Sequence, residues 1–279
     1  IFLLPIIASA KTVFVSPTGN DKYPGSVQKP VATFAKAQEL AQASQKKEKT
    51  EVVFQKGIYY LPQTIVLTPA DNNITYRAEN EGDAIISGGS LLKLKWKPFK
   101  NGIFVATVKG NPTIDQLYIN GERQRMARYP NAVAGKNVFD TWELSHNTKP
   151  DSVTDPLNPK RVAIWNNPAG AYIHAMHNLL WGDMHWIVKG KKADGKLNME
   201  GGWQNNRPSS MHHLYRMVEN VFEELDAPGE WFFNAAEQKL YYFPTNDIDL
   251  KRAKVEIVRL KTLIDFRGTK AQPVHNVIL

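Results

Sequence analysis

The chain has 279 residues, 42% of them hydrophobic, and its 35 Lys and Arg outnumber 27 Asp and Glu for a formal net charge of +8. It contains no cysteine, which excludes disulfides, thiolate metal sites and a cysteine nucleophile. After Ile7 no apolar run nears the roughly 18–20 residues needed to cross a bilayer, so no membrane span is expected.

The chain opens on Ile1-Phe2-Leu3-Leu4-Pro5-Ile6-Ile7, the rear of an apolar export-signal core, followed by Ala8-Ser9-Ala10, the small-x-small form that signal peptidase cleaves. Residues 1–10 are thus read as a signal remnant, the mature chain as starting at Lys11, and the protein as exported, periplasmic or extracellular. Lys11 to Val15 alternates as a strand, and Ser16 to Asp21 is turn-forming. Thr33 is placed to cap a helix through about Ala43, with Phe34, Ala37, Leu40 and Ala41 as its apolar stripe. The basic cluster Lys46-Lys47-Glu48-Lys49 reads as the solvated end of that helix.

Short strands follow at Val52–Phe54, Ile65–Leu67, Ile74–Tyr76 and Ala84–Ile86, punctuated by Gly, Pro and Asn. Their repeat length matches one coil of a solenoid, and strands this short with irregular turns suit a parallel β-helix better than a hairpin sandwich. The Thr33–Ala43 helix is expected to lid the first coil, where strand edges would otherwise be open.

From Leu117 the character changes. Leu117-Tyr118-Ile119 runs into Asn120-Gly121, a strong hairpin signal. A long polar loop, Ser145 to Lys160, is followed by strands at Ala171–His174, His185–Val188, Trp231–Phe233 and Leu240–Phe243, with Asn234–Lys239 as a second hairpin loop. The expected architecture is all-β: a cap helix and first coils of a right-handed parallel β-helix at 11–116, an inserted antiparallel β-sandwich at 117–254, and the helix resuming at 255–279. The final short strands are Val255–Val258, Leu263–Phe266 and Val277–Leu279. A solenoid ending on an uncapped strand predicts further coils beyond residue 279.

Several stretches resemble known proteins. Val13 to Asp21 with Pro30 to Ala37, and Ile85-Ile86-Ser87-Gly88-Gly89, look like the opening of secreted right-handed β-helix proteins. Leu117 to Gly121 with Arg125-Met126-Ala127-Arg128-Tyr129-Pro130-Asn131 is similar to the entry of the inserted sandwich in glycoside hydrolase family 141. So are Gly201-Gly202-Trp203-Gln204 with Asn206-Arg207, Val218 to Trp231, and Leu240 to Pro244. The resemblance implies hydrolysis of glycosidic bonds in plant-type polysaccharides, a polysaccharide or oligosaccharide as partner, and no cofactor. It places the catalytic acids on later coils, beyond residue 279, and leaves the catalytic residues here unknown.

Glycoside hydrolysis needs two carboxyl groups. The densest acidic group is Glu219, Glu223, Glu224, Asp226 and Glu230, but Asp226-Ala227-Pro228-Gly229 is a turn and the other acids flank apolar residues, so structure is the favoured reading. Arg125 and Arg128 can offer planar forks to a carboxylate or sugar hydroxyls, with a salt bridge as the alternative. Trp181 and Trp203, beside glycines, are candidate sugar platforms, whereas Trp186 is expected in the core. His185 and His212 are candidate polar contacts, and Arg207 with Asn206 could join the surface around Trp203. His174 and His177 fall on opposite faces of a strand, which argues against a zinc site. Two other readings compete: a calcium-dependent polysaccharide lyase, which the basic charge would suit, and a non-catalytic carbohydrate-binding solenoid. An exported protein rarely meets nucleic acid, and none is expected as a partner.

Overall fold

The computed structural model describes residues 11–44, 49–133, 135–136 and 153–279. The residues read as an export signal, most of the basic cluster and half of the Ser145–Lys160 loop lie outside them. The chain divides into two compact units, residues 1–90 with 258–279, and residues 91–257. Both are mostly β, as expected. Among the described residues no helix is long and apolar enough to cross a membrane.

In the first unit the strands pair in parallel. Lys11–Val15, Thr50–Phe54 and Ile74–Ala78 form one sheet, with Val13, Val52 and Tyr76 in register. Gly57–Tyr60 pairs with Ala84–Ser87, and Ile65–Leu67 with Ile264–Phe266, each in parallel. Among the described residues these pairs make three small sheets rather than the continuous sheets of a β-helix, with two isolated parallel bridges, Val15 to Val31 and Thr75 to Ile278, beside them. The strand Gly57–Tyr60 escaped the sequence because only Ile58 and two tyrosines mark it. Val277–Leu279 contributes a single bridge, Ile278 to Thr75, rather than a strand.

The helix Phe34–Gln42 starts where Thr33 was expected to cap it. The Thr33 hydroxyl accepts the Lys36 N–H at 3.1 Å, a cap that contributes about 1 kcal/mol. Asp21 fixes the entry, accepting from the Ala32 and Thr33 N–H groups and the Thr33 hydroxyl at 2.8–2.9 Å. The helix buries Phe34, Ala37 and Ala41, and the Phe34 ring packs 5.1 Å from both Phe54 and Tyr76. Full burial of one such ring stabilises by roughly 1.5–3 kcal/mol.

The second unit holds two larger sheets. One is mixed: Val255–Val258, Leu117–Ile119, Glu122–Met126, Glu230–Asn234, Lys239–Tyr242, Phe104–Thr107 and Lys97–Pro98 lie side by side in that order. Its pairs are antiparallel except Glu122–Met126 with Glu230–Asn234. Asn120 and Gly121 both take positive φ, 52° and 86°, the two-residue turn that the Asn-Gly pair favours. The other sheet is antiparallel, ordered Arg128–Tyr129, Met211–Glu219, Tyr172–His177, Asp183–Lys191 and Leu197–Gly201.

One face of the antiparallel sheet is apolar. Ile173, Ala175, Trp186, Val188 and Val218 pack there with Val162 and Trp165 of a short helical segment, Pro159–Ile164 and the residue after it. That helix replaces the end of the expected polar loop. Trp186 is in the core, as the sequence indicated. The Gly201-Gly202 pair is explained by it: a Cβ on Gly202 would lie 2.2 Å from the Trp186 ring, and Gly202 has φ +69°. Only glycine lets the chain cross that indole so closely.

Candidate functional site

The opposite face of the same sheet is polar, and its residues stand in a row. Arg128 lies directly across from Glu219, Glu219 across from Tyr172, and His174 across from His185. Cross-strand partners share a face, and Tyr172 and His174 alternate along one strand, so all five project the same way. His174 Nε2 and Glu219 Oε1 are 2.9 Å apart. The His174 and His185 rings meet edge to face at 4.7 Å, and His185 Nε2 lies 3.6 Å from Asp183.

Burial works to raise the Glu219 pKa. The His174 hydrogen bond and the charges of His174, Arg128 and Arg123 outweigh it and hold the carboxyl below its ordinary value. His185 is pushed down by burial and by the His174 charge, against the pull of Asp183 and Glu219, which favours a neutral imidazole. Arg128 is buried, and its Nε donates to the Pro130 carbonyl at 2.8 Å. Burial and the nearby Arg125 charge weaken its hold on its proton, while Glu219 and Glu230 strengthen it.

The strand Glu122–Met126 passes through buried Ala127 directly into Arg128–Tyr129, and so leaves the mixed sheet for the antiparallel one. That crossing opens a cleft of about 250 Å³, lined by Arg123, Arg125, Arg128, Glu219, Asp115 and Trp231 among others. Arg123 and Arg125 alternate on one strand and are exposed. Among the described residues neither guanidinium has a hydrogen-bond or ion-pair partner. The arrangement presents two open planar forks beside a third, buried guanidinium and an ionised carboxylate.

Of the six sequence candidates, Arg125 and Arg128 line this cleft, whereas His185 stands outside it against His174. Trp181, Trp203 and Arg207 do not line this cleft. Trp181 is 66% exposed and stacks on His177 at 5.0 Å, and Trp203 is 62% exposed. Trp203 and Arg207 belong to a small hairpin, Trp203–Gln204 with Arg207–Pro208. His212 is buried, and its Nδ1 accepts the Leu214 and Tyr215 N–H groups at 3.1 Å, so it is committed to its own turn. Among the described residues no group of three or more His, Asp or Glu side chains could hold a metal ion.

Sequence reasoning missed Arg123 and the use of Glu219 with His174. Arg123 was legible, since Arg-Gln-Arg after an Asn-Gly turn puts both arginines on one strand face. Glu219 was not, because its strand, Met211–Glu219, carries no clean alternation. The remaining acids of that cluster are structural. Glu224 accepts from Trp165 Nε1 and Arg161 Nη1 at 2.7 Å, Glu223 accepts from Asn166, and Asp226 from Asn131. Glu230 is buried, and burial lifts its pKa to about 8, while the N–H groups of Ala227 and Asp226 partly oppose that rise.

No protein-family model and no curated protein matches the chain. Among solved structures, a protein named as a glycoside hydrolase superposes with a TM-score of 0.77 at 20% identity, covering 96% of this chain and 49% of that one. At this identity the likeness is one of fold, and the chain spans about half the length of that structure. A complex of XylC with xylose superposes at a TM-score of 0.42 and 15% identity, covering 95% of this chain and 34% of the other, too remote to carry an argument.

Proposed function

We propose that this chain forms part of an exported glycoside hydrolase acting on plant-type polysaccharide, built on a right-handed parallel β-helix and akin to family 141. The observation that carries the reading is the fold likeness, over nearly all of the chain, to a structure named as a glycoside hydrolase. The parallel pairs of the first unit are compatible with the first coils of such a helix. The cleft at Arg125 and Arg128 supplies substrate contacts, and exposed Trp181 and Trp203 offer apolar faces to sugar rings. The chain corresponds to about half of the matched structure, and the two reacting carboxyls are assigned to the other half.

The test is a reducing-sugar assay of the protein encoded by the full reading frame, on a panel of plant polysaccharides, with EDTA present. Sugar release supports hydrolysis. Release that requires calcium, with an unsaturated product absorbing in the near ultraviolet, points instead to a lyase. Binding without turnover by the folded protein rejects the enzyme.

A further inference from the structure

We infer that the cleft between the two sheets of the second unit binds a carboxylate-bearing sugar, a uronate unit, with Arg123 and Arg125 holding its carboxylate. This rests on the carbohydrate reading and narrows it to an acidic substrate class. The argument begins with charge. Three guanidiniums, Arg123, Arg125 and Arg128, line one cleft of about 250 Å³. Like charges this close repel, and the effect is visible at Arg128, whose hold on its proton is weakened by burial and by Arg125.

The acids near the cleft do not cancel that charge. Glu219 is engaged by His174 at 2.9 Å and faces Arg128 across the strand pair. Glu230, the other acid bearing on Arg128, is neutral around pH 7, with its pKa near 8. Exposed Asp115 is the remaining carboxylate of the lining, set against both Arg123 and Arg125. The cleft therefore keeps an excess of positive charge that an anion would offset.

Geometry narrows the anion. Arg123 and Arg125 share a strand face, and among the described residues both forks are open, so each can take a planar carboxylate through paired N–H donors. Trp231 and Met217 add apolar wall, and the carboxylate of Glu219, which lines the same cleft, can accept from a hydroxyl. Paired donors, an acceptor and apolar surface within one small cleft suit a sugar acid better than an unadorned inorganic ion.

The experiment is calorimetric titration of the folded chain with tetragalacturonate and with its methyl ester, which keeps the rings and removes the charge. The acid should bind at least about tenfold more tightly than the ester, a preference that falls with salt. The double variant Arg123→Gln/Arg125→Gln should lose the preference, and Arg125→Lys should weaken it because the fork is gone. Both side chains are exposed, so an unchanged melting temperature certifies the variants' fold. Equal binding of acid and ester, or a preference retained in the double variant, overturns the uronate assignment and leaves the carbohydrate reading standing. Binding of citrate with neither saccharide bound overturns both and marks a plain anion site. No binding of either saccharide or of citrate likewise overturns both.

Discussion

Both units bury acids, and two of these, one from each, are treated oppositely. Asp71, in the first, is fully buried and richly bonded: it accepts from Gln38 Nε2 at 2.9 Å, Gln42 Nε2 at 3.0 Å, the Tyr76 hydroxyl at 2.8 Å and the Thr68 N–H at 2.7 Å. Glu230, in the second, receives two long bonds at 3.3 Å through Oε2, and its buried Oε1 has no partner among the described residues. The bonds to Asp71 replace the water it lost, so it ties helix, turn and strand together. Glu230 lacks such compensation, and the carboxyl answers by keeping its proton to about pH 8. The first acid is a structural joint, and the second is a titratable group stored beside a cationic cleft.

The sharpest way to break the contrast is Asp71→Ala. It strands four side-chain donors, the fourth being the Thr68 hydroxyl, and a backbone N–H, and should cost about 3–5 kcal/mol in urea unfolding. A loss no larger than that of a surface substitution would show that the network is dispensable.

Glu230 should instead register through pH. Its folded pKa lies above the unfolded value, so the folded state holds the extra proton. Stability should therefore fall as pH rises from the ordinary carboxyl range to about 8, by about 4–5 kcal/mol in all. Glu230→Gln should flatten that stretch of the stability–pH curve, and an unchanged slope would contradict the assignment.

Glu219 carries the opposite sign. Its folded pKa is depressed, so its contribution is present above the unfolded carboxyl pKa and is lost as pH falls through the folded one. Glu219→Gln should cost about 1–3 kcal/mol at neutral pH and remove that acid-side dependence. The smallest effect belongs to the cap: Thr33→Ala should cost about 1 kcal/mol, read as a lower urea midpoint with unchanged slope.

The strand Lys11–Val15, the Thr33-capped helix and the Asn120-Gly121 hairpin were legible in the amino-acid order. Each is set by side-chain period or turn chemistry within a few residues, and those signals are local. The apolar fate of Trp186 and the arginines of the cleft could also be read there. The strand Met211–Glu219 could not, since neither its residue types nor its burial alternate cleanly. Nor could the pairing of Ile65–Leu67 with Ile264–Phe266, because hydrogen-bonded edges do not name a partner so distant in sequence. The row Arg128–Glu219–His174–His185 draws on four strands, and the proton on Glu230 depends on how completely the fold shuts out water. Composition and period thus determined the segments with a clear local signal, among them the first strand, the capped helix and the Asn-Gly hairpin, while tertiary structure decided the remaining strands and which charges meet, because only packing sets distance and desolvation.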